Sequence, residues 1–309
     1  MSSLQAPGAV VMIRPHHFRS NPETSGDNAF QTLARNDESA TAAQALAEFD
    51  QAVAALREAG VTVHVFDDEG TETPDSVFPN NWFSTHAGGH IAIYPMFAPN
   101  RRKERRWDVI EMLKRDYRVQ DVIDYSGLEQ DGLALEGTGA MVLDHIGRIA
   151  YTVKSNRADP VLLERFCTHF NFEPMVFEAK DAQDRDVYHT NVLMGIGTGY
   201  ALICLSMLPD TQRRAEVAAR LEETGREVID LTPEQIAAFA GNALELTGRR
   251  RLLALSARAV EALRPDQIAV IERSAELLPL SIPTIETAGG SVRCMLAGIH
   301  LSPRERKTA

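Results

Sequence analysis

Apolar residues recur at three- and four-residue spacing in five stretches of the chain. They begin near Ala42 (AAQALAEFDQAVAALREAG), Arg101 (RRKERRWDVIEMLKRDY), Asp159 (DPVLLERFCTHF), Thr211 (TQRRAEVAARLEETG) and Pro265 (PDQIAVIERSAELL), and this period predicts amphipathic helices. Between them lie short apolar runs bounded by Gly, Asn and Asp, the pattern of strands and turns. One run reads SVFPNNWFSTH, a Gly88-Gly89 turn, then HIAIYPM, a helix and VQDVIDYS, and the Gly pair suits a tight hairpin. The same order returns as LEGTGAMVLD, RIAYTV and PMVFEA, then YHTNVLMGIG, YALICLSML and REVIDLT, then NALELTG, RRLLALSA and LSIPTI.

The helix starts are about 52 to 59 residues apart, which implies five similar units. The first unit, around AVVMIRP, lacks one strand, and GGSVRCMLAGIHL near the end supplies it, which would close a ring. Alternating strands and helices predict an α/β class, with residues 1–309 as one domain of five repeats about an axis. A doubly wound open sheet fits the same alternation, but no GxGxxG or GxxxxGK[ST] follows any strand, so nucleotide binding has no motif. Residues 20–40 read as a long loop, either a lid or binding segment or an inert excursion, and residues 304–309 as a frayed polar tail.

Composition narrows the function. With 43 acidic against 32 basic residues the net charge is -11, which disfavours nucleic acid and anionic membrane surfaces as partners. The most apolar run, residues 200–208, stops at Pro209, too short for a membrane span, and the N-terminus lacks the pattern of a secretory signal. Three cysteines without metal-ligand spacing fit a reducing cytoplasm rather than a disulfide framework. Cys167 on a helix and Cys204 in an apolar strand read as core residues. Neither the His86 and His90 pair nor His16-His17 comes with a carboxylate or thiol at ligand spacing, so no metal is expected.

If the five units are equivalent, the ends of their first strands converge on the axis. Those ends carry Asp75, Asn81, Glu136, His189, Asn242 and Cys294. A thiol, an imidazole and a carboxylate at one point are the parts of a cysteine nucleophile site.

DSVFPNN, FAPNRRKER, LEGTG, YHTN and GGSVRCM, in this order, resemble the guanidine-modifying superfamily: arginine deiminases, dimethylarginine hydrolases and amidinotransferases. The nearest likeness is to the branch that includes citrulline-utilisation hydrolases. The resemblance implies a five-bladed α/β propeller (pentein) of ββαβ repeats, with no metal or organic cofactor. It implies Cys294 as the nucleophile on the guanidino carbon, His189 as general acid and base, and Glu136 as the carboxylate gripping the guanidinium. Asp75 falls beside the substrate. Arg101 falls where relatives hold a substrate carboxylate, and Arg157 matches another substrate arginine, with Lys154 as the competing alignment. Two positions depart: Asn81 and Asn191 stand where relatives carry aspartate. Each removes a negative charge, which predicts that a neutral ureido group such as that of citrulline is accepted.

The expectation is therefore a cytoplasmic hydrolase that cleaves a C–N bond of arginine or a related small guanidino or ureido substrate through a Cys294 adduct. Amidino transfer to an amine uses the same residues, and a non-catalytic binding propeller is the rival of another class. Homo-oligomerisation stays open.

Overall fold

In the computed structural model, which describes residues 5–32 and 37–305, fifteen strands form five three-stranded sheets. The orders are β15-β1-β2, β3-β4-β5, β6-β7-β8, β9-β10-β11 and β12-β13-β14. The strands are β1 Ala9–Pro15, β2 Thr62–Asp68, β3 Phe83–His86, β4 His90–Ile93, β5 Asp121–Asp124, β6 Met141–Asp144, β7 Ile149–Val153, β8 Glu173–Phe177, β9 Met194–Ile196, β10 Tyr200–Ile203, β11 Glu227–Asp230, β12 Leu244–Thr247, β13 Arg251–Ser256, β14 Glu276–Leu280 and β15 Ala297–Gly298. In every sheet the central strand pairs antiparallel on one side and parallel on the other. The parallel step requires a long crossover, and the helices Glu38–Glu58, Trp107–Asp116, Pro160–Phe170, Thr211–Glu223 and Pro265–Glu272 lie in these crossovers.

The end of the chain closes the first sheet, with Val10 opposite Gly298 and Val11 opposite Ala297. Side chains alternate across a strand, and that alternation joins the sheets into a ring. Val10 and Met12 pack with Leu246, Leu252 and Ala254 of the fifth sheet, whereas Val11 and Ile13 pack with Phe83, Ile91 and Ile93 of the second. Ala92 meets Met141, Leu143 and Ala150 of the third. Ile149, Tyr151 and Val153 then share a cluster with Met194 and Ala201 of the fourth and with Leu253 and Leu255 of the fifth. The central strands are buried on both faces, so they read as nearly continuous apolar runs.

Several expectations are corrected. The basic run at Arg101 is not the head of an amphipathic helix. Pro99–Glu104 is a 3-10 turn, Arg105 and Arg106 are extended, and the helix starts at Trp107. The run LSIPTI is not the last strand of the fifth unit. That strand is Glu276–Leu280, at a sheet edge, where Pro279 costs least. The presumed catalytic residues lie in, or just before, single helical turns that precede the strands: Pro79–Asn81, Gly137–Ala140, Thr190–Leu193 and Val292–Met295. Arg304 is not frayed, because Nε donates to the carbonyls of Lys114 and Tyr117; residues 306–309 lie outside the described residues, as do 33–36 of the long loop. Among the described residues no helix is long and apolar enough to cross a membrane.

Candidate active site

The helical turns bring their side chains to the ring axis. Cys294, in the turn Val292–Met295, is buried. Its Sγ accepts hydrogen bonds from the side-chain amides of Asn191 and Asn242, each at 3.2 Å. Asn242 is itself held, because Nδ2 donates to the Asn191 carbonyl (2.9 Å) and Oδ1 accepts from Arg293 N (3.0 Å). Two amide N–H groups therefore point at the sulfur from two different repeats.

Glu136 and His189 each occupy the residue just before a turn. Glu136 is fully buried, with Oε2 2.8 Å from His189 Nε2 and 3.3 Å from an Arg157 amino nitrogen. Oε1 accepts from Phe97 N at 3.0 Å. Burial would raise this carboxyl, but the guanidinium of Arg157, the His189 contact and the charge of Arg101 hold it well below the usual carboxylate range. Burial dominates at His189 and, despite Glu136, pushes the imidazole down to about 4, with Arg157 and Arg101 adding to the shift. The ring is therefore neutral at pH 7 and available as a base.

The close approach of these turns depends on glycine. Gly137 has φ +44°, and a Cβ there would lie 2.6 Å from the Asn80 carbonyl oxygen. At Gly139 a Cβ would lie 2.1 Å from the Asn81 amide and 2.8 Å from the His189 ring.

The remaining predicted residues sort into two groups. Asp75, Asn81, Arg101 and Arg157 line one small cavity with His189 and Cys294. Asp75 Oδ2 accepts from Asn21 at 2.7 Å, while the buried Oδ1 has no hydrogen-bond partner. Lys154 instead faces outward and pairs with Glu178, so Arg157 is the residue at the site. Glu136 is placed behind His189 with both oxygens engaged, and so is not positioned to grip a substrate cation as expected. Arg101 is likewise spent within the protein: it forks onto Glu104 at 2.9 Å on both oxygens. With its oxygen turned toward Arg101, the Asn81 amide accepts from both terminal nitrogens at 3.1 Å. Asn191 serves the sulfur. These contacts remove the ground for reading the two asparagines as a ureido preference.

The sequence reading missed Asp27, Glu104 and Tyr188 as parts of the site. Asp27, from the long loop, forks onto Arg157 (2.9 and 2.5 Å), and Thr24 and Asn28 of the same loop line the cavity. The Tyr188 ring lies 4.8 Å under the Arg157 guanidinium. Glu104, three residues after Arg101 inside a 3-10 turn, was legible only once the turn was known. Around the cavity, Asp27, Asp75 and Glu136 face Arg101 and Arg157, an excess of one acidic group that a bound cation would offset, while burial pushes the carboxyl of a fourth, Glu104, up to about 7. Cys167 and Cys204 are buried and free, with thiols pushed up by burial, Cys167 to about 12. Among the described residues no group of three or more His, Cys, Asp or Glu is placed to hold a metal.

A family model described as N,N dimethylarginine dimethylhydrolase, eukaryotic, matches residues 14–301. No curated protein sequence matches the chain. Solved structures do. The N-terminal domain of ArgZ, an arginine dihydrolase from the ornithine-ammonia cycle in cyanobacteria, has a TM-score of 0.73 at 16% identity, covering 94% of this chain and 97% of that domain. Unliganded AgrE scores 0.74 at 15% identity over 96% of this chain, which spans 40% of the AgrE chain. DDAH from Pseudomonas aeruginosa scores 0.64 at 13% identity, covering 95% of this chain and 100% of that one. At these identities the shared property is the fold, the pentein arrangement of five small sheets.

Proposed function

The chain belongs to the N,N-dimethylarginine dimethylhydrolase family of eukaryotic type, and from that premise we propose that it hydrolyses the guanidinium of arginine or a methylated arginine through Cys294. The enzyme belongs to a family of hydrolases acting on guanidino compounds; the substrate and the residue roles are the proposal. Neutral His189 takes the Cys294 proton and the thiolate attacks the guanidino carbon. The resulting imidazolium returns the proton to a departing nitrogen, which leaves as ammonia or a methylated amine. Water, deprotonated by His189, then attacks the thiouronium carbon, the Cys294 thiolate leaves, and a ureido product remains.

The observation that carries this reading is Asp75. Its unpartnered, buried Oδ1 belongs to the residue that lines the cavity with Cys294 and His189, and a carboxylate is the acceptor that matches guanidinium N–H groups. Glu136 orients His189, as the third member of a nucleophile–base–orienter set. The excess acidic group favours a cationic guanidinium over neutral citrulline. Arg157, now covered by Asp27, takes the substrate carboxylate, and Asp27 yields as residues 20–32 move. ArgZ, of the same fold, has been captured covalently bound to a reaction intermediate. On this reading residues 1–309 act as one cytoplasmic catalytic domain without a metal or organic cofactor.

The test is product analysis after incubation with arginine, N,N-dimethylarginine, agmatine and citrulline, with and without added amines, against Cys294→Ala. Citrulline formed from arginine or N,N-dimethylarginine only by the intact chain supports the proposal, and ornithine formed from citrulline would contradict the preference for a guanidinium. Amine-dependent guanidino products would make the enzyme an amidinotransferase, and silence across the panel would reject the substrate class.

A further inference from the structure

Cys294 and the residue before it face different cavities. Arg293 lines a second small cavity that shares no lining residue with the first, together with His145, His300, Thr138 and Gln5. That cavity has a volume of about 30 Å³, room for a water-sized species or a monatomic ion but not for an amino acid.

Its electrostatics are one-sided. Arg293 is 9% exposed. Its backbone N–H bonds to Asn242, but its guanidinium has no hydrogen bond or ion pair among the described residues, in contrast to Arg101, Arg157 and Arg226. Among the described residues no carboxylate lines the cavity. The adjacent Asp144 is committed to Arg226, with both oxygens in a fork at 2.7 and 2.8 Å. The other charged or titratable groups about the cavity are cationic or neutral: His145 and His300 line it, while His86 and Arg148 stand close to His145. Burial pushes the Arg293 guanidinium down to about 10, and the one charge drawing it back up is that of Cys294. A buried cation with no counter-charge is costly, and a bound anion removes that cost.

We propose that this cavity is a binding site for a small inorganic anion of the halide class, held by the Arg293 guanidinium in a lining that mixes polar and apolar residues, and that its occupancy tunes the reactivity of the neighbouring Cys294. An anion there cancels the positive charge beside the sulfur, and so disfavours the thiolate.

The experiment is run on the full chain in gluconate, a bulky anion, and in bromide at equal ionic strength. Crystals soaked in bromide are read by anomalous scattering, and Cys294 alkylation by iodoacetamide at pH 7 is followed by mass spectrometry. The expected result is a bromide peak against the Arg293 guanidinium, absent in Arg293→Gln, and a saturable three- to tenfold slowing of alkylation, where tenfold is about one unit of thiol pKa. Arg293→Lys keeps the charge and should retain bromide binding. No peak in the cavity, or a peak that survives in Arg293→Gln, overturns the site; an alkylation rate indifferent to bromide overturns the coupling. Alkylation needs no substrate, so either failure leaves the hydrolase proposal untouched.

Discussion

His189 Nε2 stands 2.8 Å from Glu136 Oε2, and both side chains are buried. The carboxylate is secured by Arg157 and by the backbone of Phe97, so the imidazole is held in one orientation before substrate arrives. Glu136→Gln keeps the shape and loses the charge. Its kcat is expected to fall by about 10²- to 10⁴-fold while Cys294 still reacts with iodoacetamide. An activity within about threefold of wild type would remove Glu136 from the mechanism.

The neutral state of His189 has a consequence for stability. Above its ordinary 6.5 the imidazole is uncharged in both folded and unfolded chains. Between 6.5 and about 4 only the unfolded chain takes up the proton, so stability falls with pH across that window and this contribution stops changing below it. At pH 5 the loss is about 2 kcal/mol. Urea unfolding at pH 7 and pH 5 should show His189→Gln losing less stability than wild type by about that amount; equal losses would mean that the folded imidazole titrates normally.

Asp27 competes for Arg157. Its side chain is 26% exposed, so the pair is weaker than a buried one, about 1 kcal/mol. Asp27→Ala is expected to lower KM for arginine or dimethylarginine by about fivefold with kcat little changed. A KM raised tenfold would instead place Asp27 among the groups that hold substrate.

Asn191→Asp replaces an N–H donor to Cys294 Sγ by a like charge. Alkylation of Cys294 at pH 7 should slow by about tenfold for each unit by which the thiol is raised. A shift of preference toward arginine without slower alkylation would restore a substrate-binding role for this position.

Gly139→Ala should damage both stability and activity. The new Cβ meets the Asn81 amide and the His189 ring at once, an overpacking that costs about 1–3 kcal/mol. A variant with wild-type thermal midpoint and kcat would show that the turns have slack.

The ring was legible because its physics is local and repeated. Apolar periods marked the helices and most of the strands, and the unpaired first strand pointed to the chain end that closes it, as Val10 opposite Gly298 bears out. The one-turn helices were not legible, because four residues carry too little period to separate a turn from a strand end. The convergence of Cys294, His189 and Glu136 followed from the repeat, but their division of labour did not. Whether Glu136 faces substrate or His189, and whether Arg101 faces substrate or Glu104, depends on contacts between units far apart in the chain. Asp27 left no signal beyond the length of its loop.

The central claim is that Cys294 bonds covalently to a guanidino carbon. Acid quenching during turnover with arginine or N,N-dimethylarginine, followed by peptide mass spectrometry, tests it most directly. The account predicts an adduct on the Cys294 peptide equal in mass to the substrate less the departing ammonia or amine, and none on Cys167 or Cys204. Turnover by Cys294→Ala, or steady turnover of the intact chain with Cys294 never modified, would contradict it.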